Sequence, residues 1–161
     1  MHVGNTGGGS VGRRDKRFGE ADLRIVTGLV EAHVMAGYSG GRKVIAPGSA
    51  HAETITTLHS ARYMEDPNAD NGVLEGNPLH QDQLEIVGMV GGVLAVNAVI
   101  DDARRLSFVN FGEVVESHLQ AVAFTRPFVE LKVPRRYRTI VTSSAVYPLD
   151  STYYQTVKGI V

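Results

Sequence analysis

The fold is decided by residues 30–60, VEAHVMAGYSGGRKVIAPGSAHAETITTLHS, which combine three of the six histidines with four glycines and an adjacent Arg-Lys pair. An apolar run, residues 23–29, precedes this segment and is typical of a buried β-strand. Within the segment, residues 52–64 place apolar side chains at helical spacing. The sequence therefore predicts one strand, loop and helix unit whose glycine-rich loop carries the chemistry.

The loop reads Ser39-Gly40-Gly41-Arg42-Lys43. Glycines let backbone amides approach an anion, and two cations follow at once, so the pattern indicates phosphate binding. It is not a P-loop, because that motif has glycine directly before its lysine and serine or threonine directly after it. From the residues alone a second interpretation stays open, in which the loop is a glycine-rich turn with solvated basic side chains.

Two histidines of the segment are candidates for the site. His33 follows the predicted strand, and open α/β sheets bind ligands at the carboxyl ends of their strands. His59 shares a predicted helix face with Ile55 and Leu58, so spacing leaves two interpretations open, a metal ligand or a packed, hydrogen-bonded core residue. His51, near the start of the same helix, is expected to be exposed and without a role.

Composition excludes several classes of function. Sixteen basic and seventeen acidic residues give a net charge of −1, so nothing indicates a nucleic-acid partner. There is no apolar run of ~18 residues and no charged-then-apolar leader, so neither a membrane span nor a signal peptide is expected. The chain has no cysteine, which is compatible with a cytoplasmic location and leaves only nitrogen and oxygen donors for a metal.

The rest of the chain alternates between helix and strand patterns. Residues 1–18 are glycine-rich and basic, and a flexible entry is expected there. Asn77-Pro78 opens a helix that ends at Gly91-Gly92. The most apolar strand, residues 93–100, has a hairpin partner at 106–111. A helix over 113–125 follows, stopped by Arg126-Pro127, and its His118 lies on an apolar stripe where packing is a better interpretation than catalysis.

These patterns predict an α/β fold with an open, Rossmann-like, mostly parallel sheet, flanking helices and a β-hairpin. Residues 1–134 would form part of an N-terminal cofactor-binding domain. Residues 135–161 would begin a truncated C-terminal α/β domain, with a strand at 139–143 and a helix capped by Asp150 or Ser151. That helix would carry Gln155 and Lys158 on one face.

The ordered motifs resemble those of the nickel-dependent lactate racemase family. The resemblance rests on Glu31-Ala32-His33, the run from Ala36 to Lys43, Pro47-Gly48, Thr54-Ile55, His59-Ser60, Gly76-Asn77-Pro78-Leu79-His80, Val96-Asn97-x-Val99, Tyr147-Pro148-Leu149-Asp150 and Tyr154-Gln155-x-x-Lys158-Gly159. Ten positions separate His33 from Lys43 and sixteen separate Lys43 from His59. His80 resembles a family position, but no chemistry is assigned to it.

The resemblance implies a role for each matching residue. Lys43 would be joined through a thioamide to a nickel-pincer nucleotide derived from nicotinate, a pyridinium thiocarboxylate mononucleotide, and His59 would ligate the nickel. The cofactor would lie in the loop formed by Ser39, Gly40, Gly41 and Arg42. His33 would be an acid/base catalyst, and Gln155 and Lys158 would bind the substrate.

The implied activity is racemisation or epimerisation of a 2-hydroxy acid such as lactate. His33 would take the hydroxyl proton while the cofactor accepts a hydride, and return of the hydride to the opposite face of a transient 2-keto acid would invert the carbon. Separate maturation proteins would supply the cofactor.

The chain looks like an interior fragment of such a racemase. No counterpart is found to the family's upstream segment, which supplies a substrate-binding arginine and the second acid/base histidine, so the chain alone is expected to be inactive. Two alternatives stay open: a non-catalytic nucleotide- or metal-binding module, and an α/β domain without a ligand.

Overall fold

The computed structural model describes residues 1–142 together with Thr152 and Tyr153. The chain divides into two compact units, Met1–Glu130 and Leu131–Val161. All the helices and strands named below belong to the first unit. No helix in the described residues is long and apolar enough to cross a membrane.

The first unit contains short and long elements in alternation. Its strands are β1 (His2–Asn5), β2 (Val11–Arg13), β3 (Arg24–Leu29), β4 (Ala32–His33), β5 (Gly37–Tyr38), β6 (Val93–Ile100) and β7 (Leu106–Glu113). Its helices are α1 (Lys16–Glu20), α2 (Arg42–Ile45), α3 (Ala52–Leu58), α4 (Ala61–Met64), α5 (Pro78–Val90) and α6 (Val114–Val129).

The central sheet has the strand order β3-β6-β7. Strands β3 and β6 run parallel, whereas β6 and β7 form the predicted antiparallel hairpin. The α/β prediction is confirmed, and within the described residues the sheet is mixed, with one parallel and one antiparallel pair. The parallel pair is the part that matters for the site, because the glycine-rich segment leaves from the carboxyl end of β3.

One face of the sheet is covered by helices. Side chains of β6 alternate strictly between buried and half-buried positions, as expected for a strand with one dry face. The largest core cluster joins this face to α2, α5 and α6 and comprises Val26, Ile45, Val87, Val90, Val93, Ala95 and Val114. This core fixes the three helices that surround the glycine-rich loop.

The other face of the sheet is open. Ile25 and Leu29 of β3 are 47% and 43% exposed, and Val109 and Phe111 of β7 are 54% and 59% exposed. The prediction that β3 is covered on both faces is therefore wrong for the described part of the chain. An apolar run indicates that both faces of a strand can be buried, but it does not identify the element that would pack on each face.

Helix α5 begins and ends as predicted. The Asn77 side chain accepts from the backbone N–H groups of Leu79 and His80, Pro78 occupies the first turn, and Gly91 ends the helix at φ 60°. Asn77 is 1% exposed, and its amide also donates to the carbonyls of Met35 and Val73. The cap therefore ties α5 to the segment that leads into the site.

Three sequence predictions about local structure are corrected. Residues 1–18 form the β1-β2 hairpin and the start of α1 instead of a flexible entry, because hydrogen bonds from Gly7 to Glu85 and between β2 and Thr54 hold the hairpin on α5 and α3. The predicted helix over 52–64 is divided at His59 and Ser60 into α3 and α4. Helix α6 continues past Pro127 to Val129, where Phe128 still packs on Phe124 at 5.5 Å between ring centroids.

The predicted start of a second domain is only partly covered by the described residues. Of the strand predicted over 139–143, the four described residues, 139–142, form no strand. Ser143 and the predicted helix with Gln155 and Lys158 lie outside the described residues.

Candidate functional site

The glycine-rich loop folds back against the carboxyl end of β3. Gly40 adopts a φ of +75°, and a Cβ there would lie 2.8 Å from the carbonyl oxygen of Leu29. Gly41 adopts a φ of +47°, and a Cβ there would collide with the imidazole ring of His118. Both glycines are thus required by close packing of the loop backbone on its own fold.

Ser39 holds the other side of this loop. Its hydroxyl donates to the carbonyl of Leu29 at 2.9 Å and accepts from the backbone N–H of Glu31 at 2.9 Å. Its backbone N–H donates to the carbonyl of Glu31 at 2.8 Å. The side chain therefore stabilises the loop, in which Gly40, Gly41 and Arg42 are buried and Ser39 and Lys43 are partly exposed.

His33 and Lys43 meet in this region. Nε2 of His33 lies 3.1 Å from Nζ of Lys43, and both side chains are partly buried. Nδ1 of His33 lies 3.3 Å from the backbone nitrogen of Met35 and 3.2 Å from that of Ala36, and accepts from both. The turn after β4 thus fixes the imidazole orientation, and the loop brings the lysine to it.

The hydrogen bonds define which atoms of the pair are chemically available. Backbone N–H groups only donate, so Nδ1 carries a lone pair and a neutral ring has its proton on Nε2. An unprotonated Lys43 amine offers a lone pair that accepts the hydrogen bond from this N–H group. In a protonated Lys43, an N–H group of the ammonium would instead face the N–H group of the His33 ring. The arrangement therefore suits a lysine that acts as a nucleophile beside a histidine that exchanges a proton.

The sequence predicts that the Arg42 side chain contacts a phosphate, but in the structure this side chain points into the fold. Its side chain is 1% exposed, and its guanidinium donates to the carbonyl oxygens of Ala36 and Tyr38. Burial lowers the pKa of Arg42 to about 9, which leaves it charged at neutral pH. Its structural position is inside the fold, beneath the loop.

His118 is the partner of Arg42 from α6. It is 1% exposed, so the prediction that it is a packed residue is confirmed. Its Nε2 lies 2.8 Å from the carbonyl of Ser39. Burial, followed by the charge of Arg42, lowers the pKa of His118 to about 4.

His80, on the first turn of α5, is half-buried and interacts electrostatically with this pair. Burial, with a smaller contribution from Arg42, lowers its pKa to about 4. Sequence reasoning identified neither the cluster of Arg42, His80 and His118 nor its place beneath the loop. The available signal was a histidine on an apolar helix stripe, which indicates burial but does not name the partner.

His59 lies at the end of α3 and is exposed, so the interpretation as a packed core histidine is excluded. Its Nδ1 lies 2.8 Å from the carbonyl of Ile55 and must donate to it, since a carbonyl only accepts. The neutral ring then has its lone pair on Nε2. A backbone carbonyl that orients the second ring nitrogen is the usual support of a metal-binding histidine.

A metal bound at His59 would need donors from elsewhere. No group of three or more His, Cys, Asp or Glu side chains in residues 1–142, with Thr152 and Tyr153, could hold a metal ion. His59 would therefore act as a single protein ligand beside donors carried by a cofactor. Gln155 and Lys158 lie outside the described residues.

Comparison with known proteins shows which proteins this chain is similar to. Residues 1–72 match the model of the lactate racemase N-terminal domain. The fold agrees: the lactate racemase apoprotein from Thermoanaerobacterium thermosaccharolyticum superposes with a TM-score of 0.75 at 33% identity, over 77% of this chain and 30% of that one.

Two curated lactate racemases are similar over most of this chain. The protein from Thermoanaerobacterium thermosaccharolyticum is 35% identical over 88% of the chain, and the protein from Lactiplantibacillus plantarum is 30% identical over 91%. The chain spans about a third of their length, 33% and 34%. A Thermotoga maritima protein with a TM-score of 0.54 at 21% identity shares the fold, over 70% of this chain and 29% of its own.

Proposed function

We propose that the chain is the cofactor-bearing part of a nickel-dependent racemase or epimerase acting on a 2-hydroxy acid such as lactate. The observation that carries the proposal is the 3.1 Å contact between His33 and Lys43 at the carboxyl end of β3. The similarity to lactate racemases supports the reaction class. Because the chain spans about a third of the length of those proteins, racemase activity is proposed for this chain and does not follow from the similarity alone.

Two groups of this chain would hold the cofactor. Lys43 would carry the nickel-pincer nucleotide through its amine, and Nε2 of the exposed His59 would bind the nickel. The buried glycines Gly40 and Gly41, together with Ser39 and Arg42, would maintain the shape of the loop that presents Lys43 to the cofactor. When bound, the cofactor supplies a reversible hydride acceptor.

His33 would handle the proton of the substrate hydroxyl. Its Nδ1 accepts from two backbone N–H groups, so the neutral ring carries its proton on Nε2, the nitrogen that faces Lys43, and this tautomer can give up a proton there. To take the hydroxyl proton, the neutral ring would present the Nε2 lone pair of its other tautomer, which requires Nδ1 to release the two N–H groups when cofactor and substrate bind. Gln155 and Lys158 would bind the substrate carboxylate and fix which face of the carbon is presented.

Cofactor attachment is tested by intact mass. The chain is coexpressed with cofactor maturation proteins, and an adduct that maps to Lys43 is expected. Lys43→Met abolishes the adduct, whereas Lys16→Met, at an exposed lysine of α1, retains it. An unmodified Lys43 under conditions that load a lactate racemase would contradict the proposal.

Nickel binding is tested by metal analysis of the loaded protein. His59→Ala is expected to reduce nickel content at least tenfold, as loss of a metal ligand does. His51→Ala is the matched control, because His51 is exposed at the start of the same short helix. Equal nickel in both variants would remove His59 from the site.

A second candidate is a non-catalytic nucleotide- or metal-binding module. The observation that favours it is the coverage, since two thirds of each curated relative has no counterpart here. Racemisation requires proton handling on both faces of the substrate, and His33 serves one. The isolated chain is expected to be inactive even when loaded, and racemase activity in a polypeptide extended upstream would separate the enzyme from the module.

A further inference from the structure

Arg42 is the largest fully buried side chain among the described residues. None of the ion pairs in the described part of the chain includes it. Its guanidinium instead donates to the carbonyl oxygens of Ala36 and Tyr38, at 2.5 and 3.3 Å. Burying a charged side chain without an opposite charge costs free energy. The groups that contact the Arg42 guanidinium therefore determine how it is stabilised.

His118 supplies the remaining contact through one specific tautomer. Its Nε2 donates to the carbonyl of Ser39, so Nδ1 carries the lone pair of the neutral ring. Nη1 of Arg42 lies 3.5 Å from Nδ1, close enough for a long hydrogen bond, and 3.3 Å from Nε2, which cannot accept in this tautomer. Arg42 and His118 together bind the carbonyls of Ala36, Tyr38 and Ser39.

Helix α2 has little intrinsic means of fixing its own orientation. It contains four residues, and its N-cap, Gly41, makes no side-chain capping bond. Helices of this length are not stable alone, so tertiary contacts set the direction of each side chain. Arg42 and Lys43 are adjacent and therefore diverge by about 100° around the helix axis. With Arg42 held inward, Lys43 is directed to the side where His33 lies.

We propose that Arg42, held by neutral His118, is a positioning residue that sets the rotation of α2 and thereby keeps the Lys43 amine against His33. The clamp consists of Arg42, His118 and the three loop carbonyls. This role of Arg42 depends on the proposed function only in that the function assigns a cofactor to Lys43. Its direct consequence is an energetic coupling between position 42 or 118 and the contact between His33 and Lys43.

The coupling is measured in the cofactor-free 161-residue chain by nitrogen chemical shifts of the His33 imidazole. Lys43→Met changes the Nε2 resonance, because it removes the neighbouring amine. In an Arg42→Lys background the same substitution is expected to lose most of its effect, because a lysine lacks the planar fork that reaches both carbonyls and His118. Backbone resonances of β6 and β7 report that the fold is retained.

A second variant and a control complete the cycle. His118→Gln keeps a donor for the Ser39 carbonyl and replaces the Nδ1 lone pair with an amide oxygen at a different position, so it should reduce the coupling only in part. Arg62→Lys, at an exposed arginine of α4, should leave the effect of Lys43→Met unchanged. An undiminished effect of Lys43→Met in both the Arg42→Lys and His118→Gln backgrounds would overturn the clamp, without bearing on the adduct at Lys43.

Discussion

At the scale of single residues, the site depends on where a side chain is missing as much as on where one is present. Gly41 gives the imidazole of His118 direct contact with the loop backbone, and its positive φ disfavours any L side chain. Arg42 then uses that imidazole as an acceptor. A methyl group at position 41 would push apart the two groups that hold the loop.

Gly41→Ala is therefore expected to destabilise the fold by roughly 2 kcal/mol or more, from backbone strain together with the clash on His118. Gly88→Ala is the matched control, because Gly88 lies exposed inside α5 and a Cβ there meets nothing within 4 Å. That substitution should stabilise the protein by about 0.5–1 kcal/mol through helix propensity. Urea unfolding measures both, and equal effects of the two substitutions would contradict the packing argument.

The depressed pKa of His118 predicts a dependence of stability on pH. The unfolded histidine, with a pKa of about 6.5, binds a proton before the folded one, whose pKa is about 4. Stability is therefore lost as pH falls from about 6.5 to about 4 and becomes independent of this group below that. The contribution is on the order of 3 kcal/mol. His118→Gln should reduce the slope of the free energy of unfolding against pH in this window, while His80, whose pKa is also lowered to about 4, still contributes to it. An unchanged slope would refute the assignment.

At the scale of elements, α5 supports the site through its cap. Asn77 accepts from two backbone N–H groups of α5 and donates to the carbonyls of Met35 and Val73. Met35 lies between His33 and Arg42 in the chain. The start of α5 is thereby connected to the turn that orients the His33 imidazole.

Substitutions at Asn77 can distinguish the hydrogen bonds that its side chain accepts from α5 from those that it donates to the carbonyls of Met35 and Val73. Asn77→Ala removes both and is expected to cost about 2 kcal/mol or more, since buried carbonyls are left without donors. Asn77→Asp keeps the cap acceptor but loses the donors, so its cost should be intermediate. Asn68→Ala, at an exposed position, should be close to neutral. Thermal unfolding ranks the three, and an Asn77→Asp variant as unstable as Asn77→Ala would assign the whole effect to the donors.

The elements also mark how far the sequence could predict the structure. Apolar runs sufficed for β3 and β6, and Asn77-Pro78 sufficed for α5, because these signals are local. The break between α3 and α4 contains neither glycine nor proline, so nothing local predicted that His59 ends a helix. Arg42 was expected to face a phosphate, because burial of a charged side chain depends on acceptors from distant segments, here the histidine at position 118.

At the scale of the whole molecule, the structure divides into the unit Met1–Glu130 and the unit Leu131–Val161. Residues 131–142 are exposed and form no helix or strand. The site residues that the structure describes, from His33 to His59, all belong to the first unit. Gln155 and Lys158, the proposed substrate-binding residues, lie in the sequence range of the second unit and outside the described residues.

Limited trypsin digestion should respect this division. Lys132, Arg135, Arg136 and Arg138 are exposed in a segment without regular structure, whereas Arg42 is buried. Cleavage is expected first in this cluster, leaving a resistant fragment that begins at Met1. Mass spectrometry of the early products checks the order, and early cleavage after Arg42 or Lys43 would contradict the buried setting of the loop.

The open face of the central sheet has a practical consequence for handling the chain in isolation. Four apolar side chains are exposed on this face, and exposed apolar surface of this kind promotes association: Ile25, Leu29, Val109 and Phe111. Light scattering should increase with ammonium sulfate and decrease when Val109 and Phe111 are replaced by threonine. Dilute buffer of low ionic strength, with a trace of mild detergent, is therefore the condition in which its chemistry is best studied.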